Sequence, residues 1–503
     1  MSALAAAISR LEAAAADTHQ TLRARAVPEQ APAPVEACGL LLDLTRQALP
    51  ARVMDALAAL ADARDLPGFL DRLYAGEVVN PTENRAALHM AYRAASGFGA
   101  AGQAARESRA RCRQIAADIR AGALTGPSGA PVTGVLHIGI GGSLVGPQLV
   151  LEALEPAGGP AIRTRFCGNI DPADMAAATA DLDPDATVII AASKTFTTAE
   201  TMANLAAARV WAPQAPVFAV TAAPQAAVAR GVAEDRILAF SEHVGGRFSL
   251  WSSVGLCLDI ALGSDVVDAL HAGAAAMDDH VRRLGPTQSL PALAALTGVW
   301  NASFMGYRAR CIAPYARRLR SLPLWAQQLE MESNGKPSDL GGAPVTFGAP
   351  GTDAQHAFFQ HLHQSPMVTP VEFILVGRSA DGDQPGQERL VANGLAQAAA
   401  LAQGYTPAAG EPPDLACPGR RPSTILWLDE LDAPRLGALL AFYEHRAILE
   451  GLLWGVNPFD QWGVELGKKL ARGIEADLAA GRFGASGGYD YLGRLAGLRG
   501  TEA

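Results

Sequence analysis

The sequence predicts an α/β protein, with two stretches of parallel α/β units and helical segments at either end. Three observations carry this. From about residue 132, short β-branched runs ("VTGVLHIGI", "ATVIIAASK", "APVFAVTAA") alternate with Ala-rich helical stretches, the pattern of a parallel sheet. A second group of such runs, "VEFILVG" and "STILWLD", follows residue 370. Residues 1 to about 120, and the segment after Pro434, read instead as mostly helical.

Taken in order, the Ala-rich N-terminus (residues 1–25) reads as an amphipathic helix and not a secretion signal. Arg10, Glu12 and Asp17 interrupt its apolar run. Leu40 to Arg64 and Ala86 to Ala95 carry helical spacing. Between them Asn80-Pro81 marks a turn, and Thr82 or Asn84 is placed to cap a helix starting near Arg85. After the first α/β units a helical stretch runs from about 264 to 331. Residues 404–423, rich in Pro and Gly, read as a surface loop. Pro434 suits the first turn of the last long helical region.

At 503 residues the chain exceeds a single simple core, so two or more domains are expected. A hydrophobic content of 49% with 18% charged residues fits a compact soluble protein. The net charge of -9 and the lack of a basic run argue against nucleic-acid binding. No stretch approaches the ~18 uninterrupted apolar residues of a membrane span. Six scattered cysteines without a CxxC pair argue against zinc and a disulfide framework, and suit a reducing cytosol. They read as small buried apolar side chains.

Six stretches carry candidate chemistry. "HIGIGGSLVGP" (137–147) runs a strand into Gly139, Gly141, Gly142 and Ser143. Glycines there let backbone approach an anion, and a following helix offers free N–H groups. A tight structural turn explains the stretch equally well. Leu144 breaks the dinucleotide spacing, which counts against a nucleotide-dependent dehydrogenase. "SKTFTTAET" (193–201) puts Ser193, Lys194, Thr195, Thr197 and Thr198 at the end of the next strand. Simple helix capping is the competing reading. Two hydroxyl-rich strand ends in neighbouring units favour a phosphate site, since open α/β sheets bind ligands at that edge. In "HVGGRFSLWSS" (243–253) two glycines can aim Arg247 into a cleft, although a lone arginine is more often a surface ion pair.

"LWAQQLEMES" (324–333) has helical character, with Asn334-Gly335 as its stop. Residues on a helix turn about 100° each, so Glu330 and Glu332 point roughly 200° apart and at most one faces any given cleft. Two solvated glutamates are the plainer alternative. In "GTDAQHAFFQHLHQ" (351–364) the helical texture separates His361 from His363, HExxH is absent and no cysteine is near. A single catalytic histidine among packing ones is the preferred reading, without metal. In "NPFDQWGVELGKKLA" (457–471), a helix starting near Asp460 would set Gln461, Glu465 and Lys468 on one stripe, facing a site or water. Glu465 and Lys469 could then pair at i,i+4.

Seven stretches in order, "NPTENRAALH", "GIGGSLVGP", "SKTFTTAETMAN", "VGGRFSLWSSVGL", "MESNGK", "GTDAQHAFFQHLHQ" and "DQWGVELGKKLA", together resemble the phosphoglucose isomerase family over about residues 80–471. The resemblance implies two sugar-isomerase-type αβα sandwich domains. One, smaller and phosphate-binding, spans 120–285. The other, larger, combines 1–119 with 286–503 and carries the base, histidine and lysine. It also implies reversible isomerisation of glucose 6-phosphate to fructose 6-phosphate in glycolysis and gluconeogenesis, in the cytoplasm, without metal or cofactor. A homodimer is implied, with His356 contributed across the interface. By motif, Glu332 matches the catalytic base, His356 the ring-opening residue and Lys468 its partner. Glu200 matches the acid that orients the histidine, and Arg247 the enediolate stabiliser. Gly142, Ser143, Ser193, Lys194, Thr195 and Thr198 match the phosphate cradle, and Gln328 and Gln461 match glutamines lining the site. Leu144 departs from the family, where an aspartate is expected. A non-catalytic sugar-phosphate sensor would keep the cradle but could dispense with Glu332, His356 and Lys468; all three are present.

Overall fold

A computed structural model describes residues 2–23, 32–156, 158–482 and 491–499. The chain divides into two compact units, 1–459 and 460–503. The first unit holds two sheets flanked by helices. The described residues form eleven strands: β1 (Val35–Ala37), β2 (Leu40–Arg46), β3 (Gly134–Ile138), β4 (Arg163–Cys167), β5 (Thr187–Ala192), β6 (Val217–Thr221), β7 (Ile237–Ala239), β8 (Ala309–Tyr315), β9 (Val345–Gly348), β10 (Val371–Val376) and β11 (Ser423–Leu428).

The five-stranded sheet has the order β4-β3-β5-β6-β7 and is parallel throughout. Its central strands β3 and β5 are buried along their whole length, as strands covered on both faces must be. The chain leaves β3 toward β4 and returns on the other side at β5, so the order reverses between β3 and β5. A crevice opens at the carboxyl ends of strands flanking such a reversal. The glycine loop after β3 and the hydroxyl loop after β5 flank this one.

The six-stranded sheet has the order β1-β2-β11-β10-β8-β9. Strands β8 to β11 pair in parallel, while β2 pairs antiparallel with both β1 and β11. The helix Leu322–Asn334 links β8 to β9 and packs against both. The helix Ala433–Trp454 is buried nearly all round, and Asp432 caps it by accepting from the Arg435 N–H at 2.9 Å. Among the described residues, no helix is long and apolar enough to cross a membrane.

Several local expectations are corrected. Residues 40–46 are a strand and not part of a helix: they pair with β11, and the alternation of a strand puts the buried Leu40, Leu42 and Leu44 on one face. The helix expected from Ala86 is a single 3-10 turn, His89–Tyr92, and Asn84 caps nothing. It sits at φ 52° in a tight turn closed by the Asn80–Arg85 bridge. The continuous helix expected over 264–331 is interrupted by β8. The N-terminal helix is Ala3–Arg23; residues 24 and 25 of that expectation lie outside the described residues.

The second unit contains the helices Glu465–Ala479 and Tyr491–Arg499. Gln461 precedes a 3-10 turn, Trp462–Val464, and so lies outside the helix. The stripe expected for Gln461, Glu465 and Lys468 therefore does not form. Within the helix, Lys468 pairs with Glu465 at 2.8 Å, at i,i+3, in place of an i,i+4 pair with Lys469.

Candidate active site

The glycine loop is shaped by steric need. Gly141 has φ 55°, in the left-handed region, and a Cβ there would come within 2.7 Å of Gln328 Nε2. At Gly142 a Cβ would lie 2.0 Å from the Gly246 carbonyl oxygen. The loop after β3 thus rests directly on the backbone leading into Arg247. Beneath it, the His137 Nε2 lies 2.8 Å from the Ser143 carbonyl oxygen. Burial drives the His137 pKa down to about 4, with the Ser143 bond opposing the fall, so this ring is neutral at pH 7.

The hydroxyl loop is curled by Phe196, which is buried at φ 53°, an uncommon conformation for a bulky residue. The curl brings Ser193 Oγ within 3.0 Å of Thr198 Oγ1, and Ser193 Oγ also accepts from the Phe196 N–H at 3.1 Å. Thr198 occupies the N-cap of the helix Ala199–Trp211, but its side chain makes no capping bond. Capping therefore does not consume its hydroxyl. Thr195 is exposed and accepts from Thr197 Oγ1 at 2.8 Å. Lys194 is half-buried. Burial first, then the neighbouring Arg85 guanidinium, lower its pKa; Glu83 and Glu242 oppose this, and Arg247 adds to it. Arg85 was not singled out by the sequence reading, yet its charge is felt at Lys194. It is held by Glu83 at 3.3 Å and Glu242 at 3.2 Å.

Arg247 sits in a 3-10 turn, Gly246–Trp251, with its side chain 2% exposed. The surface ion pair that a lone arginine suggests is therefore excluded. Its Nε donates to Ser333 Oγ at 2.7 Å, Nη2 donates to the Pro458 carbonyl, and Nη1 lies 3.6 Å from Glu332 Oε2. The second contact on Glu332 is Gln328, one helical turn earlier, whose Nε2 donates to the same oxygen at 3.1 Å. Glu332 keeps 24% of its side chain exposed.

Glu330 has the opposite fate. It is buried and ion-paired to Arg310 at 2.9 Å and to Arg446, and Thr346 Oγ1 donates to it at 2.6 Å. Burial works against its charge, but Arg446 and Arg310 outweigh this and keep its carboxyl below the ordinary value. The divergence expected of these two glutamates is thus realised as one core residue and one partly exposed residue beside Arg247.

The remaining candidates are more dispersed. Glu200 lies in the first turn of the helix Ala199–Trp211 and is partly exposed. His356 follows the short helix Gly351–Gln355 and is exposed. Among the described residues, no hydrogen bond or ion pair ties it to Glu332 or Glu200. His363 Nε2 meets Gln397 Oε1 at 3.0 Å, the role of a packing histidine. Lys468 and Gln461 belong to the second unit, Lys468 exposed and Gln461 partly so. Ser333, within "MESNGK", gives no signal in sequence, because a serine among glutamates has no titratable group.

One carboxylate, one buried guanidinium and two anion-suited loops therefore converge in the first unit. A carboxylate that solvent can reach, beside a fixed cation, suits removal of a proton from carbon with stabilisation of the resulting oxyanion. The family model for phosphoglucose isomerase matches residues 43–490. The glucose-6-phosphate isomerase of Caulobacter vibrioides (strain NA1000 / CB15N) is 42% identical over 493 residues, covering 91% of each chain. That of Burkholderia pseudomallei (strain 668) is 42% identical over 471 residues, covering 88% of this chain and 87% of its own. The crystal structure of a glucose-6-phosphate isomerase from Chlamydia trachomatis superimposes with a TM-score of 0.81 at 29% identity, covering 94% of this chain and 93% of that one. The chain belongs to the phosphoglucose isomerase family.

Proposed function

We propose that the protein interconverts glucose 6-phosphate and fructose 6-phosphate through an opened sugar and a cis-enediolate. The observation that carries this reading is the Glu332 carboxylate, partly exposed and 3.6 Å from the buried Arg247 guanidinium. In this reading the phosphate rests on Gly142, Ser143, Ser193, Lys194, Thr195 and Thr198. It does no chemistry; its binding energy holds the reacting carbons in register with the base. Glu332 takes the proton from C2 and returns it to C1. Charge gathers on the enediolate oxygens, and Arg247, already desolvated and fixed, meets it without reorganising. Gln328 steadies the carboxylate by its 3.1 Å bond.

Ring opening comes first, because the proton at C2 becomes acidic only beside a free carbonyl. We assign that step to His356 with Lys468, oriented by Glu200, with Gln461 lining the site. These four assignments rest on motif. The exposure of His356 on its own chain fits a histidine supplied to the site of a second copy, hence a homodimer. We assign phosphate binding to residues 120–285, which hold the whole five-stranded sheet, and the base, histidine and lysine to 1–119 with 286–503. Glycolysis and gluconeogenesis in the cytoplasm are the setting such an activity fits.

A coupled assay tests the proposal: fructose 6-phosphate is supplied, glucose 6-phosphate is detected, and EDTA is present. Sustained turnover is expected. No turnover, or turnover only on adding metal, overturns it.

A further inference from the structure

Three consecutive residues at the end of the Leu322–Asn334 helix do three different things. Glu332 faces the site. Asn334 Nδ2 donates to the Ala447 carbonyl at 2.8 Å and anchors the helix end to the Ala433–Trp454 helix. Between them Ser333, with none of its surface exposed, accepts from Arg247 Nε at 2.7 Å. Because successive helical residues fan out by about 100°, one short stretch can serve three directions.

We infer that Ser333 is a positioning residue for Arg247, an assignment that rests on the function proposed above. A guanidinium is planar, and a bond to Nε fixes its roll about the side-chain axis. The Pro458 carbonyl holds the Nη2 corner. With Nε and Nη2 both held, the Nη1 edge is presented beside Glu332, 3.6 Å away. Losing the hydroxyl would remove the restraint at Nε and let the plane tilt toward Glu332, closing a tight ion pair. That pair would occupy the base and point the cation away from the enediolate. Ser333 and Glu332 lie on the same helical turn, so base and cation share one rigid mount, and their spacing is set by residues 332 and 333 together.

The test compares wild type, Ser333→Ala, Ser333→Thr, Arg247→Ala and the Ser333→Ala/Arg247→Ala double variant. Each is assayed for kcat and KM with fructose 6-phosphate and checked by thermal unfolding. Ser333→Ala is expected to lose kcat by roughly 10- to 100-fold, as for a misplaced catalytic group, with KM within about twofold of wild type. Ser333→Thr, which keeps an acceptor hydroxyl, should recover part of the loss. In the Arg247→Ala background the serine change should cost nothing further, because its effect runs through the arginine. Should the alanine variant fail to fold, Ser333→Cys, close in size and a weaker acceptor, takes its place. A serine variant with wild-type kcat, or a loss that persists undiminished without Arg247, overturns the inference. An inactive wild type would instead overturn the proposed function.

Discussion

The Leu322–Asn334 helix carries two carboxylate–arginine meetings that differ in almost every physical respect. On its core side Glu330 is joined to Arg310 and Arg446, with Glu372 and Glu450 completing a buried cluster. Each of these three carboxylates meets at least one of the two guanidiniums at close range. On its open side Glu332 meets Arg247 only at 3.6 Å, because the Nε and Nη2 of that arginine are engaged with Ser333 and Pro458. The first arrangement is sealed from solvent. The second leaves a carboxylate only loosely held and reachable, with a cation fixed beside it. The two glutamates thus differ in burial and in how tightly a guanidinium holds them: Glu330 is sealed between two, and Glu332 stands 3.6 Å from one.

The largest effect that would break this comparison belongs to the open side. Glu332→Gln should lower kcat by about 10²–10⁴-fold while KM changes little; steady-state kinetics with fructose 6-phosphate checks it. Near-normal turnover would mean the base lies elsewhere. On the buried side, Glu330→Gln removes the carboxylate shared by two buried guanidiniums, leaving Arg310 with Glu450 and Arg446 with Glu372, and should cost about 3 kcal/mol of stability. Denaturant unfolding reads that cost, and kcat per folded molecule should stay near wild type. If the two variants exchanged phenotypes, Glu330 and not Glu332 would be the reactive carboxylate. Arg247→Ala should lower kcat by about 10²–10³-fold with a modest change in binding. A change confined to KM would make Arg247 a binding residue.

The smallest effect concerns a buried group with no opposite charge of its own. His137 has a pKa of about 4 in the folded protein against 6.5 ordinarily, with burial the main cause. Between those values the unfolded chain binds the proton and the folded one does not. Its contribution is therefore fully present above pH 6.5 and is lost as pH falls toward 4, by about 3 kcal/mol. Unfolding measured across that window in wild type and His137→Phe should show a shallower dependence in the variant. An unchanged slope would mean that His137 stays neutral in both states, or is charged in both.

Much of the first sheet was legible because its signals are local. A β-branched run ending in "GIGGS" or "SKTFTT" announces a strand and a turn within a dozen residues. The second sheet was harder. Leu40–Arg46 also fits helical spacing, and what makes it a strand is β11, whose Leu426 pairs with Leu42 from the far end of the chain. Strand β8 falls inside the stretch that reads as helical, and Pro314 within "ARCIAPY" weakens its strand signal. In the fold Pro314 lies beyond the pairing with β9, so one of its edges has no strand neighbour. At the site, the glycine and hydroxyl loops and both glutamates were visible, but the surroundings of Arg247 were not. Its burial depends on Ser333 and Pro458, 86 and 211 residues away.

By itself the sequence determined the residue chemistry, the two anion-suited strand ends and the divergence of Glu330 from Glu332, since each depends only on neighbours along the chain. Tertiary structure decided which glutamate is sealed into an ion cluster and which is left open, and it turned Arg247 from a presumed surface charge into a buried cation. The reason is that desolvation and pairing depend on groups that only folding brings within a few ångströms.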